Sequence, residues 1–183
     1  MENEFTINQK KVLDILFTYP SMLFSAREIA RITQLTHPTV LEALHVLLTA
    51  GLASRIIKEN ISGIGVTISW KAEQKGAKYT FYKKIENLKK VYTSHLIEKI
   101  AQETTPNAII LFGSYSRGED TEKSDIDIFV LSKEHPVDLK KYEKKLHRKI
   151  NLTFEENITK LNKQFLNNLI NGVIIYGYLE VTE

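Results

Sequence analysis

Two short apolar segments around a glycine-serine turn constrain this chain more than any other feature of its sequence. Ala108–Phe112 is continuously apolar, as in a buried strand, and it ends at Gly113-Ser114. After a polar stretch, residues 124–130 alternate polar and apolar side chains. Side chains alternate between the two faces of a strand, so Asp125 and Asp127 face one side while isoleucines and valine face the other. The pattern predicts a buried sheet that supports two neighbouring carboxylates.

These residue types predict a phosphate and metal site. Gly113 lets an anion approach the backbone N–H groups of a strand-to-helix turn, and Ser114 adds a hydroxyl. The two aspartates stand roughly 7 Å apart at the backbone, given the rise per strand residue. Carboxylates at this spacing can bind hard divalent cations such as Mg²⁺ or Mn²⁺. Arg117 is either a further phosphate contact or the partner of a structural salt bridge.

The string GSYSRGEDTEKSDIDIFV, residues 113–130, resembles the signature of the polymerase-beta-like nucleotidyltransferase superfamily, and is closest to its minimal (MNT) branch. The resemblance runs from about residue 107 to the C-terminus. It implies transfer of a nucleoside monophosphate from an NTP to an acceptor with magnesium. The implied catalytic and metal-binding residues are Asp125 and Asp127. The implied nucleotide contacts are Gly113, Ser114, Arg117 and Ser124.

The chain departs from this signature at one position. The family has a third carboxylate on the next strand, and the matching segment here is Lys149–Phe154, with Asn151 at that position. An amide cannot act as a base, and it is a weaker cation ligand than a carboxylate. Glu155 lies four residues further, roughly 13 Å along a strand, and could replace the missing group only in another register. A degenerate nucleotide-binding domain is therefore the alternative to an active transferase.

The N-terminal half resembles a winged helix-turn-helix domain. Val12, Leu13, Ile15 and Leu16 form a helical stripe, Ser25-Ala-Arg-Glu28 is a capping box, and Pro38 opens a third helix that ends at Gly51. Residues 52–57 and 66–70 then predict strands around a turn at residues 62–65, and residues 77–82 suggest a third strand. The resemblance covers roughly residues 5–82.

In this family the third helix enters the DNA major groove. The resemblance implies DNA contacts from Thr36, His37, Thr39, Glu42 and His45, with Lys58 on the hairpin. Lysines after the hairpin, Lys71, Lys75, Lys78, Lys83 and Lys84, could contact phosphates. Residues 1–103 contain 14 Lys/Arg and 10 Asp/Glu, a balance compatible with nucleic acid. The third helix contains no Arg or Lys, so protein interaction or dimerisation is the alternative role of this domain.

The predicted class is α+β, with an N-terminal winged helix-turn-helix and a C-terminal α/β nucleotidyltransferase domain that has a mixed sheet. The predicted boundaries are 1–82, a connecting helix at 83–104, and 105–183. A further helix is predicted from a stripe formed by Leu139, Tyr142, Leu146 and Ile150, with Arg148 among the basic residues outside it. The absence of cysteine, of an N-terminal apolar segment and of any long apolar run predicts a cytoplasmic protein without a membrane contact.

Two functions remain open at this point. The first is a nucleotidyltransferase joined to a DNA-binding domain. The second is a DNA-binding regulator or antitoxin whose transferase domain senses nucleotide. The resemblance to minimal nucleotidyltransferases also implies a HEPN-type toxin as a separate partner, because no R-x-x-x-x-H motif of that family occurs in this chain. A homodimer is a further expectation.

Overall fold

A computed structural model describes residues 4–59 and 65–180 of the chain. Its contacts divide the chain into two units, between residues 79 and 80. The first unit contains three helices followed by an antiparallel hairpin. Its elements are α1 (Ile7–Thr18), α2 (Ala26–Thr33), α3 (His37–Thr49), β1 (Ala53–Glu59) and β2 (Val66–Ala72).

Local capping explains where the helices of the first unit begin. The Ser25 hydroxyl accepts a hydrogen bond from the Glu28 amide at 3.2 Å, and the Glu28 carboxylate accepts one from the Ser25 amide at 2.7 Å, which confirms the capping box. Thr36 caps α3, and Gly51 after its end has the positive φ of +73° expected there. The predicted turn at residues 62–65 lies, except for Gly65, outside the described residues.

The prediction of a third strand at residues 77–82 is wrong. Helix α4 extends over Ala77–Ser94, and its buried face is formed by Tyr79, Lys83, Asn87 and Val91 at intervals of four residues. Two of these four side chains are polar, so the apolar pattern of the sequence does not reveal the stripe. Tyr92 of the same helix lies outside this face and is 72% exposed.

The segment expected as one connecting helix is two helices that pack into the second unit. Helix α4 ends at Ser94, and α5 covers Leu96–Thr104 after His95, which has φ +65°. The Ser94 hydroxyl donates to the Val91 carbonyl at 2.6 Å and accepts from the Leu96 amide at 3.1 Å, so it stabilises the break. Residues of both helices belong to the same buried cluster as the central strands, so these helices are part of the core and not a connector.

A four-stranded mixed sheet forms the centre of the second unit, as the fold class predicted. Its spatial order is β5-β4-β3-β6, with β4 and β5 parallel and the other pairs antiparallel. Helices α4 and α5 cover one face, and α8 covers the other. The elements after α5 are β3 (Ala108–Phe112), α6 (Gly113–Arg117), β4 (Ile126–Leu131), α7 (Lys140–Leu146), β5 (Ile150–Glu155), a 3-10 turn (Ile158–Lys160), α8 (Lys163–Ile170) and β6 (Val173–Gly177).

The predicted helical stripe from Leu139 to Ile150 is too long. Helix α7 ends at Leu146, His147 adopts a positive φ of +53°, and Ile150 is the first residue of β5. Arg148, expected on the outer face of a helix, is buried with 7% exposure. Both ends of the apolar pattern are real, but the chain changes from helix to strand between them. In residues 4–59 and 65–180, no helix combines the length and apolar character that crossing a bilayer requires.

Candidate active site

The turn between β3 and α6 brings the backbone against one of the predicted carboxylates. Gly113 has φ +75°, and a Cβ added there would lie 2.6 Å from Oδ2 of Asp127. The Ser116 hydroxyl donates to the Gly113 carbonyl at 2.9 Å and holds the turn. Only glycine combines this backbone conformation with so close an approach. The structure therefore places the predicted phosphate loop directly beside Asp127.

The two aspartates lie at the start of β4, on the sheet face that α8 covers further along the strand. Asp127 pairs with Phe112 of β3 on one side and with Asn151 of β5 on the other. Both aspartates are partly buried, while Ile126 and Ile128 between and after them are fully buried on the opposite face. The alternation along this strand is therefore as the sequence predicted.

Asn151 joins the two aspartates through its side-chain amide. Its Nδ2 donates to Oδ2 of Asp125 at 3.2 Å and to Oδ1 of Asp127 at 3.1 Å. The parallel register places Asn151 opposite Asp127 and places Glu155 opposite Leu131 at the far end of β4. Glu155 is therefore too far along the sheet to replace the missing carboxylate.

The donor set fits one hard divalent cation. One oxygen of each carboxylate points toward the positively polarised N–H groups of a single amide. A cation would favour the same position between the two carboxylates. Among the described residues, however, no group of three or more His, Cys, Asp or Glu side chains could hold a metal ion. Asp125 and Asp127 are thus the carboxylates that could hold a metal ion here, with Asn151 as their neutral neighbour.

Two further predicted nucleotide contacts have local structural roles. The Arg117 Nε donates to Glu119 at 2.7 Å on the surface, which favours the salt-bridge alternative for this side chain. The Ser124 hydroxyl accepts from the Thr121 amide at 3.0 Å and closes the turn before β4. Nucleotide contacts by Arg117 and Ser124 stay predictions.

A cleft of about 410 Å³ opens beside Asp125. Three of its four basic side chains, Lys123, His147 and Lys149, are exposed, whereas Arg148 is buried, so an anionic group could approach the three exposed ones. A second cavity of about 270 Å³ lies near Asn107, Leu131 and Tyr178 and is lined by none of the candidate residues. The cleft beside Asp125 is therefore the better placed of these two for a nucleotide or acceptor.

A buried charged cluster behind the loop was not found from the sequence. Asp120 is 2% exposed and accepts from Nζ of Lys83 at 2.9 Å, from Nδ2 of Asn87 at 2.7 Å and from Arg148 at 3.4 Å. Asn87 also donates to the Tyr115 carbonyl of α6 at 2.9 Å. The cluster thus connects α4 with the loop and with Arg148, which lies two residues before β5.

Lys83 is therefore not the DNA contact that the sequence suggested. It has no exposed surface, and burial lowers the pKa of its ammonium group, an effect that the neighbouring Asp120 carboxylate opposes. The i, i+4 spacing of Lys83 and Asn87 was the available signal. This spacing alone indicates an exposed helix face, because lysine and asparagine side chains are rarely buried unless they are paired.

The predicted DNA contacts of the first unit fall into different environments. Thr36 and Thr39 contact each other through their hydroxyls at 2.8 Å as part of the α3 cap. His37 and His45 line a groove of about 530 Å³ between the helices and the hairpin, together with Arg27 and Arg55. Glu42 and Lys58 are both exposed, on α3 and on β1.

Comparison with known proteins shows a family similarity within the second unit. Residues 94–180 match the family model described as "Polymerase beta, Nucleotidyltransferase". The matched segment contains Gly113, Asp125, Asp127 and Asn151. The superfamily that the signature predicted is therefore supported over this segment.

Two individual proteins are similar to parts of the chain. A protein of Methanocaldococcus jannaschii named "Putative protein adenylyltransferase" is 45% identical over 62 residues, which are 33% of this chain and 61% of that protein. The chain thus matches less than two thirds of that relative's length. A solved structure, "Possible transcriptional regulator from Methanosarcina mazei Go1", has a TM-score of 0.37 and 14% identity over 54% of this chain and 78% of that one, a likeness too small to indicate a fold. The winged-helix interpretation of the first unit stays a prediction.

The contact at Gly113 gives a testable prediction. Gly113→Ala should cost about 1–2 kcal/mol for the positive φ and should also push the Asp127 carboxylate aside, so that binding of ATP with Mg²⁺ weakens. Gly51→Ala is the matched control, because Gly51 has φ +73° but nothing within 4 Å of its added Cβ. Calorimetric titration should show weaker nucleotide binding for Gly113→Ala alone, and equal affinities in both variants would contradict the assigned contact.

Proposed function

We propose that the second unit transfers a nucleoside monophosphate from an NTP to the hydroxyl group of an acceptor. The observation that carries this proposal is the approach of Asp127 to Gly113, which puts a carboxylate able to bind a metal ion beside the predicted phosphate loop. Asp125 shares the amide of Asn151 with Asp127, so both carboxylates point to one place. The match of residues 94–180 to the nucleotidyltransferase family supports the same reaction class.

The residues have separate roles in this reaction. Asp125 and Asp127 would hold Mg²⁺ or Mn²⁺, which when bound neutralises phosphate charge and stabilises the leaving pyrophosphate. The absence of a side chain at Gly113 leaves space for the Asp127 carboxylate, and the backbone N–H groups of the turn and the Ser114 hydroxyl would donate to the triphosphate. The acceptor oxygen forms a bond to the α-phosphorus, the bond from that phosphorus to the β-phosphate oxygen breaks, and pyrophosphate leaves. The hydroxyl proton is released to water.

The acceptor we favour is a protein hydroxyl, and the nucleotide we favour is ATP. The support is the name of the M. jannaschii relative, a protein adenylyltransferase, over the segment where 45% of residues are identical. Nucleic-acid ends and small hydroxylated compounds such as antibiotics are the other acceptors that the superfamily suggested from sequence. Each predicts a different labelled product.

The proposal is tested by incubating the full chain with Mg²⁺ and ATP, GTP, CTP or UTP labelled at the α-phosphate. Candidate acceptors are the chain itself, a cell extract of proteins, and oligonucleotides. We expect label on protein, with ATP giving the most, and none after omission of the metal ion. Label on oligonucleotides only would redirect the acceptor, and no label on any acceptor with any NTP would contradict transfer.

A second function, DNA binding, is favoured by the groove in the first unit. The described part of this groove is lined by two arginines, Arg27 and Arg55, and two histidines, His37 and His45, and by no acidic side chain. Such a surface attracts a phosphate backbone, and it places two predicted contacts beside two arginines that sequence reasoning had missed. If the protein is a DNA-binding regulator or antitoxin, the second unit would act as a sensor of bound nucleotide. The HEPN-type toxin partner and the homodimer stay predictions.

The groove predicts the effect of Arg55→Ala on DNA binding. Removing one phosphate contact should lower the slope of log affinity against log salt concentration by about 1, as measured by fluorescence anisotropy with mixed-sequence duplex DNA. Lys11→Ala is the control, because Lys11 is an exposed cation of the same unit outside the groove. Equal losses in both variants would indicate attraction by overall charge, and no salt-dependent binding would contradict this second function.

A further inference from the structure

The amide of Asn151 holds together two carboxylates that would otherwise repel each other. Each of its two N–H groups serves one carboxylate, at 3.2 Å for Asp125 and 3.1 Å for Asp127. The amide is neutral, so the three side chains carry a total charge of −2. A third carboxylate at this position would bring the charge to −3 and would remove both hydrogen-bond donors.

The surroundings of Asn151 supply no anionic replacement on strand β5. The next acidic residue along that strand, Glu155, pairs with Leu131 at the other end of β4. Glu143 borders the cleft beside Asp125, but its carboxylate accepts a hydrogen bond from the Ile150 amide at 3.1 Å. A second dication close to the first would therefore gain only a neutral oxygen from β5, while it would be repelled by the first.

We propose that Asn151 limits the site to one divalent cation, bound by Asp125 and Asp127 together with the nucleotide. This inference rests on the proposed function and adds to it the metal stoichiometry. The amide has a hydrogen-bond donor on one side and an acceptor on the other, and rotation of its terminal group exchanges them. Asn151 thus bridges the aspartates through its nitrogen, and on metal binding its oxygen would be available as a neutral ligand.

The consequence is tight binding of nucleotide with slow transfer. The single cation accompanies the triphosphate, and no second cation lowers the pKa of the acceptor hydroxyl. Asn151→Asp should supply the missing anionic ligand, because the parallel register keeps position 151 opposite Asp127. We expect this variant to bind a second cation and to transfer at least tenfold faster than the unchanged chain.

The direct test counts Mn²⁺ per protein–nucleotide complex, from the loss of the free-ion paramagnetic resonance signal. The full chain is mixed with an equal concentration of α,β-methylene-ATP, an analogue that cannot be cleaved between the α- and β-phosphates. We expect one Mn²⁺ for the unchanged chain and two for Asn151→Asp. Asn168→Asp is the matched control, because it adds the same charge at an exposed position of α8, and it should bind one.

The outcomes separate this inference from the proposed function. Two Mn²⁺ in the unchanged chain would overturn the inference and leave the transfer proposal standing, and this count needs no variant to fold. One Mn²⁺ in a folded Asn151→Asp variant would also overturn it. If the unchanged chain binds neither Mn²⁺ nor the analogue, both proposals fail. A melting temperature of Asn151→Asp that is below that of Asn168→Asp without metal, and that recovers with Mn²⁺, supports the bridging role of the amide.

Discussion

Replacement of Asp127 by alanine is expected to reduce nucleotidyl transfer roughly a thousandfold, which corresponds to about 4 kcal/mol of transition-state stabilisation. Asp127 contacts both the loop and the neighbouring strand, and it is one of the two carboxylates proposed to hold the cation. Its Oδ2 would lie 2.6 Å from a Cβ on Gly113, and its Oδ1 accepts from Asn151. Without it, Asp125 is the one carboxylate left to Asn151, and a divalent cation would lose one of the two carboxylates proposed to hold it.

The measurement is the initial rate of label transfer from α-labelled ATP, together with Mn²⁺ binding by the same preparation. Asp138→Ala is the control, because Asp138 is exposed in the same unit and accepts only a local hydrogen bond, from the Lys140 amide at 3.2 Å. Unchanged circular dichroism in both variants would show that the fold is intact. A folded Asp127→Ala variant that transfers at an undiminished rate would remove the metal-binding role from this residue.

Asp120→Ala should have the largest effect on stability. Removal of this carboxylate leaves Lys83 and Arg148 buried together without the anion that they share, and it also removes an acceptor of Asn87. Breaking a buried ion pair on one side typically costs about 3–5 kcal/mol. We therefore expect a large fall in the free energy of unfolding and, because Asn87 also holds the loop through Tyr115, weaker nucleotide binding by the remaining folded protein.

Urea denaturation followed by circular dichroism measures this effect. Trp70 is the only tryptophan of the chain and lies in the first unit, so its fluorescence monitors that unit separately. The double variant Lys83→Met with Asp120→Ala should lose less stability than the sum of the two single variants, because it leaves one buried cation fewer. Additive losses, or a loss below about 1 kcal/mol for Asp120→Ala, would show that the cluster contributes no more than a surface ion pair.

The parts of the site that sequence predicted are those encoded by local spacing. Asp125 and Asp127 are two residues apart on one strand, so their common face follows from the strand repeat alone. Gly113 is recognisable because a turn directly after a buried strand restricts the residue type. Asn151 was placed by the resemblance to the family's third carboxylate position, and the parallel register, which sets Asn151 opposite Asp127, agrees with that placement.

The parts that sequence did not predict depend on contacts between distant residues. Lys83 and Asp120 are separated by 37 positions, and neither residue type indicates burial unless its partner is known. The same cause produced the error over residues 77–82, where the buried face of α4 contains polar side chains and so has no continuous apolar stripe. The hydrogen bonds from Asn151 to both aspartates likewise require side-chain geometry, which the residue type alone does not supply.

Transfer of the nucleotidyl group by the second unit is tested most directly with two forms of ATP. One is labelled at the α-phosphate and the other at the γ-phosphate. Each nucleotide is incubated with the full chain, Mg²⁺ and the acceptor proteins, and the label bound to protein is followed over time. We expect slow label transfer from the α-position only, accelerated in Asn151→Asp and lost in Asp127→Ala. Label from the γ-position, or none from the α-position while ATP is bound, would contradict it.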